Sequence, residues 1–171
     1  SWLFGREYSD KTAKDLLALP ASRSSIINAK IVVYAMWCLA LVVANLLVGL
    51  VVGALLGLDN FDIRVITSGL NTYFATTLLV MLLGTPVSFM GIWGKGYLAP
   101  IGLVVLMLIV SQIVGAVGLG QYFPWSVPGL YSGISAEMRA SLTAVSFGLV
   151  GLVAVLGYVA SHWWWNRADQ N

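Results

Sequence analysis

Four long apolar runs, separated by short polar breaks, dominate the chain. The first covers residues 31–58, with Asn45 its only strongly polar member. At 1.5 Å per residue it is about 40 Å long, more than the ~30 Å hydrocarbon core, so it spans with tilt or projects at one end. The second run, 66–93, is less clean. It carries Thr67, Ser68, Asn71, Thr72, Thr76, Thr77 and Thr85, and Pro86 inside it predicts a kink. The third run is 97–119, with Pro100 in its first turn, where proline is tolerated. The fourth is 142–165. The pattern predicts an all-α, polytopic membrane protein with four transmembrane helices.

Three connections join the runs. Residues 59–64 carry three charges, and Gly94, Lys95 and Gly96 read as a tight turn. The third connection, 120–139, holds Tyr122, Phe123, Pro124, Trp125, Pro128 and Tyr131. So aromatic and proline-broken a segment is not a simple solvated loop. It lies in the interface or dips into the bilayer as a short re-entrant element packed on protein.

Before the first span, residues 8–19 read as a short amphipathic helix. Ser9 or Asp10 can cap it, Leu16, Leu17 and Leu19 give it apolar contact, and Pro20 interrupts it. Residues 22–25 can cap a new helix that runs through Lys30 into the bilayer. The expected organisation is a cytoplasmic segment over 1–29, a transmembrane domain over 30–165, and a tail over 166–171.

Composition agrees with this layout. Of 171 residues, 59% are hydrophobic and 9% charged, against about 25% charged in a soluble domain. The net charge of +2 gives no basic field for nucleic acid. The placement of the charges says more. An even number of spans puts both ends on one side, with Arg6, Lys11, Lys14, Arg23, Lys30, Lys95 and Arg167. Only Arg64 and Arg139 lie on the other. By the positive-inside rule both termini and the Lys95 turn are cytoplasmic, and the aromatic connection faces outward.

Candidate chemistry is sparse. There is no phosphate-binding G-x-x-x-x-G-K-[ST] string, no H-E-x-x-H and no G-x-S-x-G. The single Cys38 sits in an apolar run and reads as a small hydrophobe, and the single His162 reads as an interfacial residue near the inner end of the last span. No catalytic, cofactor-binding or metal-ligating set emerges. No ionisable side chain falls in the middle of a span, which disfavours an ion-coupled secondary transporter. Asn45, Gln112 and the hydroxyls read first as interhelical hydrogen-bonding groups. Gly49, Gly53 and Gly57, four residues apart, form a small-residue ridge for a close helix partner in this chain or in a second copy.

The order of short motifs resembles the permease subunits of type-2 ABC exporters, in the branch that includes bacitracin, lantibiotic and multidrug export. The resemblance begins with Arg6-Glu7-Tyr8-Ser9-Asp10-Lys11-Thr12 and a leucine run from Asp15 to Pro20. It continues through Ser22-Arg23, Ala29-Lys30 and Thr85-Pro86-Val87. Gly94-Lys95-Gly96-Tyr97-Leu98-Ala99-Pro100, then Tyr122-Phe123-Pro124-Trp125, and finally Trp163-Trp164-Trp165-Asn166-Arg167 complete it. Such permeases have six spans, two of them before the Glu7–Thr12 segment, so the resemblance implies the C-terminal part of a longer chain.

The resemblance also implies a mechanism. The cytoplasmic helix before the first visible span would be a coupling helix docked on a separate ABC ATPase, with Glu7, Tyr8, Asp10, Lys11, Thr12, Lys14, Asp15 and Arg23 at or near the contact. ATP and Mg²⁺ would be bound on that partner and not on this chain. Two permease copies, identical or different, would pair around the path in the plasma membrane. Lipid headgroups are a weaker partner for this helix, because its charges balance at three bases and three acids between Arg6 and Asp15. The competing assignment is a non-transporting scaffold or immunity protein that binds its partner through the same helix.

Overall fold

The computed structural model describes residues 22–57, 63–133 and 139–167. The expected amphipathic helix, with Glu7, Tyr8, Asp10, Lys11, Thr12, Lys14 and Asp15, lies outside them. Among the described residues, five α-helices and one 3₁₀ turn can be delimited, in this order. They are α1 (Arg23–Leu55), α2 (Ile63–Trp93), α3 (Leu98–Ala116), the 3₁₀ turn Gly120–Tyr122, α4 (Val127–Ser132) and α5 (Ala144–Arg167). No strand occurs among the described residues. Four of the helices, α1, α2, α3 and α5, are long and apolar enough to cross a membrane.

Each helix starts and stops for a local reason. Ser22 caps α1: its extended backbone turns its hydroxyl back to accept from the Ser25 amide at 3.1 Å. The helix therefore begins eight residues before the apolar run. It ends at Leu55, three residues short of the run's end, because Gly57 takes a left-handed φ of 61° and its amide folds back to the Ala54 carbonyl. Gly118 does the same for α3, with φ 77° and its amide on Gly115, so that helix stops at Ala116. The turn between α2 and α3 is tight enough to hold Lys95 at φ 47°, an uncommon conformation for a residue with a Cβ.

The second span, α2, is central. It packs most extensively on α5, and α3 and α4 also lie against it. The side of α5 that faces inward is a stripe of mostly small residues: Ser146, Val150, Ala154, Gly157, Ser161 and Trp165. Small residues let two backbones approach closely where apolar burial gives no driving force between helices.

The aromatic connection packs in between the spans. Val127 is fully buried with Leu79, Leu83 and Val150, and Ser126 meets Ser111 of α3, hydroxyl to hydroxyl, at 2.9 Å. Measured from Trp93 at 1.5 Å per residue, Leu83 and Leu79 lie about 15 and 21 Å from the Trp93 end of α2. That is near the middle of a ~30 Å core. Non-helical backbone at such depth needs protein on its flanks, and α2, α3 and α5 supply it.

Candidate functional site

Among the described residues, the first span, α1, meets α5 and α2 near its start and meets α2 again farther along. At its N-terminal end it is fixed. Ile26 and Ile27 form a core with Ile92 of α2 and Trp165 of α5. Lys30, 8% exposed, lays its ammonium 4.9 Å from the centre of the Trp165 ring. The Asn28 amide oxygen accepts from the Tyr158 hydroxyl at 3.1 Å and from Nε2–H of His162 at 3.0 Å. The rings of those two residues meet at a tilt of 49° with centroids 4.6 Å apart, and the Asn166 amide donates to Ser24 Oγ at 3.5 Å. The start of α1 and the end of α5 thus form one bolted joint.

Farther along, α1 and α2 are held apart by two tyrosines pointing in opposite directions. Tyr34 of α1 donates to the Met81 carbonyl at 3.2 Å, and Tyr73 of α2 donates to the Val42 carbonyl at 2.9 Å. Tyr34 fits because position 84 is glycine. A Cβ there would collide with the phenol oxygen and lie 2.6 Å from Cζ. Between the tyrosine bridges runs a cleft of about 650 Å³. Its walls are apolar on the α1 side, where Cys38, Leu41 and Val42 contribute. They are richer in hydroxyls on the α2 side, where Ser68, Thr72, Thr76 and Thr77 contribute. One flank is open, since Leu41 and Val80 are each 54% exposed.

The cleft's far end is closed by a cation. Arg139 Nε donates to the Tyr131 carbonyl at 3.0 Å and its Nη2 to Thr72 Oγ1 at 3.1 Å. The guanidinium lies 4.9 Å from the Tyr131 ring centre, and Thr72 in turn donates to the Ser68 carbonyl at 3.0 Å. Deeper in the wall, Thr76 Oγ1 is buried and has no hydrogen-bond partner among the described residues. A buried hydroxyl without a partner carries a desolvation cost of about 1–3 kcal/mol, which an incoming acceptor or donor relieves.

The predicted site residues are placed unevenly. Arg23 is the first residue of α1, directly after the Ser22 cap. Of the glycine ridge, Gly49 faces open space, with nothing within 4 Å of the position its Cβ would take. Gly57 is likewise open and acts as the helix stop. Within this chain the close helix contact falls at Gly157, where an added Cβ would run into the backbone of Pro86 and lie 2.8 Å from its Cα and Cδ. Sequence reasoning did not bring together Tyr34, Tyr73, Thr76 and Arg139. The signal was the hydroxyl density of the second run and the one isolated cation of the third connection.

Comparison with known proteins adds the family. No solved structure matches this chain. The bacitracin transport permease protein BCRB of Bacillus licheniformis is 29% identical over 126 residues, or 74% of this chain. The matched region spans 61% of that relative's length. Residues 1–111 match the family described as ABC-2 family transporter protein. With most of its length inside that family, its spans helical and its described residues arranged around an intramembrane cleft, this multi-pass membrane protein belongs to the ABC-2 transporter family.

Proposed function

We propose that this chain is a permease subunit of an ATP-driven exporter, coupled to a separate ABC ATPase and paired with a second permease copy. Membership of the ABC-2 family supports the transport role. Charge placement supports an orientation with both ends of the chain in the cytoplasm. The observation that carries the coupling is the joint between α1 and α5. Any load on the segment ahead of Ser22 passes into α1 through its first turns. There Asn28, Lys30 and Ile27 hand it to Tyr158, His162 and Trp165 of α5. From α5 it reaches α2, one wall of the cleft, through the Gly157–Pro86 contact and the 2.8 Å bond from the Thr85 hydroxyl to the Ala154 carbonyl.

In this reading Glu7, Tyr8, Asp10, Lys11, Thr12, Lys14, Asp15 and Arg23 meet the ATPase, which holds ATP and Mg²⁺. The uncovered apolar face of α1 around Gly49 supports a second copy as the other wall of the path. The test is co-expression with the ATPase of the same system and measurement of ATP-driven transport in vesicles. Asp10→Ala and Arg23→Ala are expected to lower transport while leaving insertion and the amount of protein unchanged. Normal transport in both variants overturns the coupling role.

A further inference from the structure

The cleft between α1 and α2 is asymmetric along its length, and the asymmetry has a chemical meaning. Counting ~30 Å of hydrocarbon outward from Trp93 at 1.5 Å per residue places the far boundary at about Tyr73. Thr72 and Arg139 therefore sit at the level where headgroups begin. From Thr72 to Met81 the cleft descends about 14 Å into the apolar region, past Cys38, Val42 and Val80.

Arg139 is held by one edge of its fork, through Nε and one Nη2 hydrogen. A guanidinium carries five N–H donors. The pair at its tip, from Nη1 and Nη2, has no acceptor among the described residues and is spaced to grip two oxygens of a phosphate or carboxylate. One turn deeper, the buried Thr76 hydroxyl waits for a polar atom, and below it the walls are apolar.

We propose that this cleft binds a single-chain anionic amphiphile from the outer leaflet, with its head on Arg139, its linking oxygen at Thr76 and its chain between Val42 and Val80. This assignment rests on the cytoplasmic orientation and transport reading given above and names the class of ligand for that path. The open flank at Leu41 and Val80 is the lateral route by which the chain slides in from the bilayer. A zwitterionic lipid fits less well, since its own cation lies beside the anionic oxygens and repels the guanidinium. Free phosphate fits less well because most of the cleft offers it only desolvation.

The test uses the full chain in phosphatidylcholine nanodiscs, without ATPase, and a dodecyl phosphate with a terminal diazirine as the probe. Photolabelling mapped by mass spectrometry is expected at the α1 and α2 walls of the cleft. Dodecyl phosphate should compete, whereas dodecylammonium and inorganic phosphate should not. Arg139→Gln should weaken competition about tenfold or more, the effect of losing a charged hydrogen-bonding partner, and Arg139→Lys should restore part of it. Val80→Trp, which fills the apolar part of the cleft, should abolish labelling. It also serves as the deciding variant if Arg139→Gln does not insert. Equal competition by dodecylammonium overturns the proposal, as does competition by inorganic phosphate or labelling spread evenly over the lipid-facing helices. Transport coupled to the ATPase with no cleft labelling would sink this inference alone. Cleft labelling as expected, with no ATP-driven transport once the ATPase of the same system is added, would sink the transport reading alone.

Discussion

Gly157 of α5 lies directly against Pro86 of α2, backbone to backbone, with no room for a Cβ between them. Pro86 has no N–H to give the Leu82 carbonyl, and the Thr85 hydroxyl supplies a bond there at 3.0 Å. Two exceptions to regular helix chemistry, a glycine and a proline, thus meet at one contact and bring the two central spans together.

Gly157→Ala should destabilise the protein by about 1–3 kcal/mol, the usual range for overpacking. The listening atoms are proline backbone and ring, which cannot swing aside. Gly148→Ala and Gly151→Ala are the controls, because an added Cβ at either meets nothing within 4 Å. Thermal unfolding in detergent, followed by the loss of monodisperse protein, reads the difference. Equal melting of all three variants would contradict the close contact.

Gly84→Ala should behave differently. Its neighbour is the tip of the Tyr34 side chain, which can rotate away and give up its bond to the Met81 carbonyl. The expected cost is about 1 kcal/mol, the worth of one such bond. Tyr34→Phe should cost a similar amount, and the double variant should cost less than the sum because both remove the same interaction. Full additivity in a double-mutant cycle would mean that the tyrosine does not bridge α1 to α2.

Thr85→Val replaces the hydroxyl with a methyl of the same shape and leaves the Leu82 and Ala154 carbonyls without this donor. A loss of about 1–2 kcal/mol is expected, and Thr85→Ser should recover most of it. If valine and serine variants melt together, the hydroxyl is not serving either carbonyl.

At the joint between α1 and α5, Asn28→Ala removes the one acceptor shared by Tyr158 and His162. Transport should fall more than stability does, because the remaining core of Ile26, Ile27, Ile92 and Trp165 still holds the ends together. A short bismaleimide bridge between cysteines placed at Asn28 and His162, in a Cys38→Ser background, should leave transport no lower than in the same two-cysteine variant before cross-linking, since the two ends move as one body. Loss of transport on cross-linking would show that they separate during the cycle.

Much of the fold is legible in the chain, and the reason is specific. In a bilayer only a helix satisfies its own backbone, so four apolar runs leave little choice of structure. The Ser22 cap and the tight turn at Lys95 follow from local chemistry and stand where the residues put them. Which glycine carries a close contact is not local. Gly49, Gly53 and Gly57 advertise a ridge through their regular spacing, yet Gly49 and Gly57 face open space and Gly57 ends a helix. Gly157 belongs to a stripe whose other members are Ser146, Val150, Ala154, Ser161 and Trp165, so no glycine repeat marks it. The cleft was harder still. Arg139 lies 67 residues from Thr72 along the chain, and no periodicity within one span reports a partner that arrives from a connection.

One proton on Thr85 faces two oxygens, at 3.0 Å in its own helix and 2.8 Å across the seam. A small rotation of the hydroxyl exchanges one acceptor for the other without leaving the proton stranded. At its tightest point the seam between the central spans is therefore a shared switchpoint: a single hydroxyl mends the gap the proline leaves in its own helix and clasps the neighbouring one.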